Sequence, residues 1–186
     1  MGTGEPRHAR GDFDADERSD GVSARPLRVL IVEDEVLVAM ELAALVEELG
    51  HVVVGHALDS GEALQLMEFA EADLALVDLH LQDGPTGVMV GRKLVERCGA
   101  MVLFMTANQK RVPDDFAGAV GLLAKPYSLK GVEEALNYLR DCATGDCAPS
   151  AAPQCLTLAP DFRRRWKVDE APAVRLLRRG PQAVAH

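Results

Sequence analysis

Five side chains far apart in the sequence, Glu33, Asp34, Asp78, Thr106 and Lys125, each stand at or just past the end of an apolar run. Three carboxylates brought to one place repel one another, which raises a pKa or unfolds the site unless a cation sits among them. A divalent ion resolves this, and hard oxygen ligands that leave room for water and phosphate oxygens suit Mg²⁺. Such an ion also neutralises the charge that builds on a phosphoryl group during in-line transfer, while a Lys ammonium and a Thr hydroxyl hold its other oxygens. The set fits phosphoryl transfer to a carboxylate.

The elements that must position these residues follow from spacing. Leu27 to Val32 is an aliphatic, β-branched run of the kind that is covered on both faces. Val38, Leu42, Leu45 and Leu49 then recur at helical steps, with Gly50 at the C-terminal cap position. His51 to Gly55 reads as a second strand, and Asp59-Ser-Gly-Glu62 as a capping box opening a helix to about Ala70. Asp73 to Asp78 is a third strand; Asp83 to Gly87 is a turn before a helix to about Cys98. Met101 to Met105 is a fourth strand, followed to Phe116 by the least regular stretch, with only a weak helical pattern. Ala119 to Ala124 is a fifth, and Ser128 caps a helix carrying Val132, Leu136 and Leu139. Five β–α units predict an α/β fold, a doubly wound parallel sheet of five strands with helices on both faces and right-handed crossovers. Ligands of such sheets bind beyond the carboxyl ends of the strands, where all five candidate residues fall.

The acidic pair in Val32-Glu33-Asp34, the Asp closing Leu76-Val77-Asp78, the Thr in Phe104-Met105-Thr106 and the run Lys125-Pro126-Tyr127 resemble the signature of response-regulator receiver domains. The resemblance covers residues 27–141. It implies a flavodoxin-like (βα)5 receiver fold with strand order 2-1-3-4-5, an order that belongs to the family and not to anything spacing shows. It further implies that Asp78 accepts a phosphoryl group from a sensor histidine kinase or phosphotransfer protein. Glu33, Asp34, Asp78 and the backbone carbonyl of His80 would gather Mg²⁺, Thr106 and Lys125 would read the phosphoryl group, and His80 and Asn108 would influence its hydrolysis. The chain would then be a switch of partner binding in a phosphorelay, not an enzyme, assisting only its own phosphorylation and dephosphorylation. It departs from many receivers at Leu122, where an aromatic ring transmits activation. Phe104-Met-Thr-Ala107 is partly similar to the Phe-Ala-Thr-Gly of stand-alone alphaproteobacterial receivers that also lack the ring, with Met105 and Ala107 as departures.

Composition bounds the alternatives. The net charge of -9 divides into -2 for residues 1–26, -10 for 27–141 and +3 for 142–186, so the core is acidic and repels nucleic-acid phosphates. No Gly-rich loop follows the first strand, which disfavours nucleotide or flavin binding. An Asp-nucleophile phosphatase needs a general acid, typically a second Asp two residues on, where His80 stands. Residues 1–26 are too polar to order themselves; residues 142–186 read as low-complexity and then basic tail, with no separate output domain. Phe162-Arg-Arg-Arg-Trp-Lys167 offers a grip on an acidic partner or single-stranded nucleic acid, or a solvated chain end. Cys98, Cys142, Cys147 and Cys155 read as free thiols, with a zinc knuckle on the last three as the alternative. With neither a signal segment nor a spanning run, a cytoplasmic location is expected.

Overall fold

A computed structural model describes residues 25–143 and 152–166. In chain order the elements are β1 (Arg28–Val32), α1 (Val36–Glu48), β2 (Val52–Ala57), α2 (Ser60–Leu66), β3 (Leu74–Asp78), α3 (Gly87–Lys93), β4 (Met101–Thr106), β5 (Gly121–Ala124), α4 (Leu129–Ala143), β6 (Leu156–Leu158) and α5 (Pro160–Trp166). The six strands form one sheet in the order β2-β1-β3-β4-β5-β6. The first five are parallel and keep the expected order 2-1-3-4-5, while β6 runs antiparallel on β5.

The central strands are apolar throughout because both faces are covered. Alternate residues of each strand divide between two cores. Val29, Ile31, Leu74, Leu76, Leu103, Met105 and Leu123 face α1 and α4, meeting Leu42, Val46, Leu136 and Leu139. Leu30, Val32, Ala75, Val77, Val102, Phe104 and Leu122 face the opposite layer, meeting Ala63 of α2 and Val90 of α3. Half of the expected capping box is present: Asp59 accepts from the Glu62 amide at 2.8 Å, while the Glu62 carboxylate accepts from the Leu58 amide, one residue before the N-cap, at 2.8 Å. Ser128 caps α4 by accepting from the Gly131 amide at 3.1 Å.

Two features differ from the five-unit expectation. No α-helix joins β4 to β5; two single 3-10 turns, Gln109–Arg111 and Phe116–Gly118, stand there instead. Pro113 explains this, since it has no amide to donate and forces the preceding residue out of the helical region; Val112 is extended, with φ -74 and ψ 125. The second turn holds Phe116 and Ala117 at left-handed φ of 50 and 49, which costs each non-glycine residue of order 1–2 kcal/mol.

The second difference lies at the C-terminal end, where β6 and α5 fall in the segment expected as tail. Leu156, Leu158, Ala159 and Phe162 are buried in the same core as α1 and α4. The short alternation Leu156-Thr-Leu158 covers the open edge of β5, and Gly121 permits the approach: a Cβ there would lie 2.4 Å from the Thr157 carbonyl oxygen. Phe162 is therefore part of the fold and not of an exposed grip. The free-thiol expectation holds for Cys98 and Cys155 but not for Cys142, which is buried at the end of α4 and disulfide-bonded. Cys147, the N-terminal segment expected to be disordered and the basic stretch beyond Trp166 lie outside the described residues.

Candidate functional site

Sheet register brings the chemical residues to one edge. Val32 of β1 is level with Val77 of β3, Asp78 with Met105 of β4, and Thr106 with Ala124 of β5. Glu33, Asp78, Thr106 and Lys125 consequently end adjacent strands at the same height, with Asp34 one residue further along the β1–α1 connection.

Carboxylate oxygens of Glu33, Asp34 and Asp78 all lie within 4.8 Å of one another. Glu33, Asp78 and Thr106 are buried. Lys125 reaches into the cluster, its Nζ 2.5 Å from Asp78 Oδ2 and 2.9 Å from Glu33 Oε2. Burial opposes the charge on Lys125, but its hydrogen bonds to Asp78 and Glu33 more than offset that and hold its pKa above the usual lysine range. For Glu33 the balance goes the other way: burial raises its pKa, and Lys125 only partly counters it. Tyr127, just after Lys125-Pro126, is pushed up to about 12 by burial.

The loops around the cluster are pinned to it. The His80 amide donates to Asp78 Oδ1 at 3.1 Å, and the Asn108 amide donates to Thr106 Oγ1 at 2.9 Å. The His56 ring lies 2.9 Å from the Glu33 carbonyl oxygen and donates to it through Nε2. Asp83 ties two loops by accepting from Ser60 Oγ at 2.6 Å and Thr86 Oγ1 at 2.7 Å. The His80 side chain is not in the cluster; it is exposed and meets the guanidinium of Arg111 at 2.7 Å. Leu122 is buried in the core that α2 and α3 cover, so the position of the missing aromatic is filled by a packed aliphatic residue.

Two participants are not apparent from sequence alone. Gly87 opens α3 so close to β3 that a Cβ would lie 2.0 Å from the Asp78 carbonyl oxygen. Arg111 sits in the irregular stretch after β4, where the sequence pattern gives no position for it.

The donor set fits a hard divalent cation: oxygen-only, anionic, converging from two strand ends, and partly shielded from water. Elevation of the Glu33 pKa has a consequence for stability. In the ion-free protein the folded state holds a proton on Glu33 at pH values where the unfolded chain has released it, so this group's contribution is present below about 4.5, the ordinary value, and is lost as pH rises through the folded-state pKa. Chemical denaturation in a chelator should therefore show Glu33→Gln gaining stability relative to the native chain as pH is raised from 4 towards 7, with the two converging at the acid end. A constant difference across that range would show that Glu33 is not strained by burial.

Comparison with known proteins agrees with this geometry. The family model for the response regulator receiver domain matches residues 29–137. The transcriptional regulatory protein PdtaR of Mycobacterium tuberculosis is 33% identical over 121 residues, covering 63% of this chain and 58% of PdtaR. The phyllosphere-induced regulator PhyR of Methylorubrum extorquens is 36% identical over 111 residues, covering 59% of this chain and 42% of PhyR. The chain thus spans about half the length of these relatives. Among solved structures, a CheY-like receiver domain protein from Methanospirillum hungatei aligns with a TM-score of 0.59 at 25% identity, over 66% of this chain and 99% of that one. Sheet order, the carboxylate edge and the matched span together place this chain in the response-regulator receiver domain family.

Proposed function

We propose that this chain is a phosphorylation switch in which Asp78 takes a phosphoryl group from a phosphohistidine on a sensor kinase or phosphotransfer protein. The observation that carries this is the convergence of Glu33, Asp34, Asp78 and Lys125 at one strand edge, with Lys125 touching two of the three carboxylates. Glu33, Asp34, Asp78 and the His80 carbonyl would hold a Mg²⁺ ion, which would supply neutralisation of the phosphoryl charge. An Asp78 oxygen attacks phosphorus, the phosphorus–nitrogen bond of the donor breaks, and the imidazole keeps the electron pair and takes a proton. Lys125 holds one phosphoryl oxygen by its ammonium and Thr106 another by its hydroxyl. Thr106 ends β4 where the β4–β5 loop begins, so a shift of its hydroxyl from the Asn108 amide to the phosphoryl group moves that loop. Output passes through this movement, because Leu122 has no ring to swing.

The partner surface lies beside the site. Val36, Leu37 and Met40 on the first turns of α1 and Leu129 at the start of α4 are exposed apolar residues, suited to docking a kinase or phosphotransfer helix. We place this exchange in the cytoplasm; among the described residues no helix is long and apolar enough to cross a membrane. The family is one of signalling switches, and no external substrate needs to be turned over. An Asp-nucleophile phosphatase has no support in the site, where an exposed His80 stands at the general-acid position.

Intact-mass analysis after incubation with acetyl phosphate tests the proposal. The native chain should gain one phosphoryl group with Mg²⁺ and none in a chelator, and Asp78→Asn should gain none in either. Uptake that persists in Asp78→Asn would remove Asp78 as the acceptor.

A further inference from the structure

The β4–β5 loop turns tightly just beyond Thr106. The Asn108 amide is held by Thr106 Oγ1, and the Arg111 amide donates to the Asn108 carbonyl at 3.1 Å, closing a tight turn. This turn carries the Arg111 side chain to His80, where a guanidinium nitrogen lies 2.7 Å from Nε2 and 3.4 Å from Nδ1. A neutral imidazole offers only one lone pair to a group that has five donors in a fork shaped for carboxylate or phosphate. Among the described residues Arg111 has no carboxylate partner, whereas Arg92, which also faces this loop, is bound to Asp115 at 2.9 Å. Its anchor, His80, is itself joined through its amide to Asp78 Oδ1, so the cation rests one residue from the acceptor's neighbour.

Charge at the site makes use of such a group. With a divalent ion bound, the three carboxylates would be matched by it and by the Lys125 ammonium. Replacing the Asp78 carboxylate by a phosphoryl group with a charge of about -1.5 to -2 adds about half to one further negative charge that Lys125 and the ion would not balance.

Resting on the phosphoryl-acceptor reading above, we propose that Arg111 is a phosphoryl-binding residue. On modification of Asp78 its guanidinium leaves the His80 ring and donates to a phosphoryl oxygen, drawing the β4–β5 loop over the strand edge. It forms and breaks only hydrogen bonds in doing so. This supplies a charge-driven movement in a receiver whose Leu122 has no ring to rotate.

The test uses beryllofluoride, a phosphoryl analogue, titrated with Mg²⁺ into the full chain. Arg111→Gln should weaken its binding about tenfold, the expected loss of one charge-assisted hydrogen bond. Arg111→Lys should recover part of that affinity, and Lys110→Gln should leave it unchanged. Affinity for Mg²⁺ alone should be the same in Arg111→Gln as in the native chain. Native-like beryllofluoride affinity in Arg111→Gln overturns the inference, as does an equal loss of affinity for Mg²⁺ alone, which would mean that the loop merely supports the metal ligands. Failure of the native chain to bind beryllofluoride would instead overturn the phosphoryl-acceptor reading, and this inference with it.

Discussion

Gly87→Ala is expected to destabilise the protein by at least about 3 kcal/mol, lowering its melting temperature by roughly 6–12 °C, and to abolish phosphoryl uptake. The added methyl would stand 2.0 Å from the Asp78 carbonyl oxygen and 2.6 Å from the Leu79 Cα. Both are backbone atoms, so no side chain can turn aside to make room; either α3 lifts away or the end of β3 shifts. Gly91, one turn on in α3, is an internal comparison. A Cβ there meets the Phe104 ring at 2.6 Å, and although that ring is fully buried it has some freedom to tilt, so Gly91→Ala should cost less and leave Asp78 in place. Thermal melts and acetyl phosphate labelling of both variants would check the pair. Equal, small effects would show that α3 does not press on the acceptor strand.

Lys125→Met should have the second large effect, and one that depends on the metal. Its Nζ is the cation nearest to two buried carboxylates, 2.5 Å from Asp78 and 2.9 Å from Glu33. Removing one partner of a buried ion pair typically costs about 3–5 kcal/mol, because the remaining charge is left uncompensated. In a chelator the variant should lose stability on that scale. Mg²⁺ should restore much of it and should bind the variant more tightly than the native chain, on the order of tenfold, since a competing positive charge is gone. Denaturation midpoints with and without Mg²⁺ separate these effects. A variant as stable as the native chain without the ion would mean that the carboxylates are adequately solvated and that Lys125 has no neutralising part.

Glu33, Asp34, Asp78, Thr106 and Lys125 are legible in the sequence for a reason of topology. In a parallel sheet every strand points the same way, so a polar residue that closes an apolar run arrives at the same edge as its counterparts. The order of the five parallel strands came through the family resemblance, since alternation of strands and helices does not fix it. Gly87 carries no signal in the sequence because its need arises from the passage of α3 over β3, a tertiary proximity that leaves no local pattern. Arg111 lies in a stretch without periodicity, where Pro113 overrides the weak helical pattern. The strand Leu156–Leu158 was masked by its Ala-, Pro- and Cys-rich surroundings; the alternation is three residues long, too short to stand out, and gains meaning only from the open edge of β5 beside it. Phe162 was legible as an aromatic residue among arginines, but burial, not sequence, distinguishes a core ring from an exposed one.

The identity of the phosphorylated residue can be fixed directly by chemical trapping. An acyl phosphate is reduced by borohydride to an alcohol, so an aspartyl phosphate becomes homoserine and marks its own position. After phosphorylation of the native chain with Mg²⁺ and acetyl phosphate, reduction and peptide mass mapping should place homoserine at position 78 and nowhere else. Homoserine at Asp34, a borohydride-stable phosphoryl group on His80, or no conversion despite measured uptake would contradict Asp78 as the acceptor and the switch built around it.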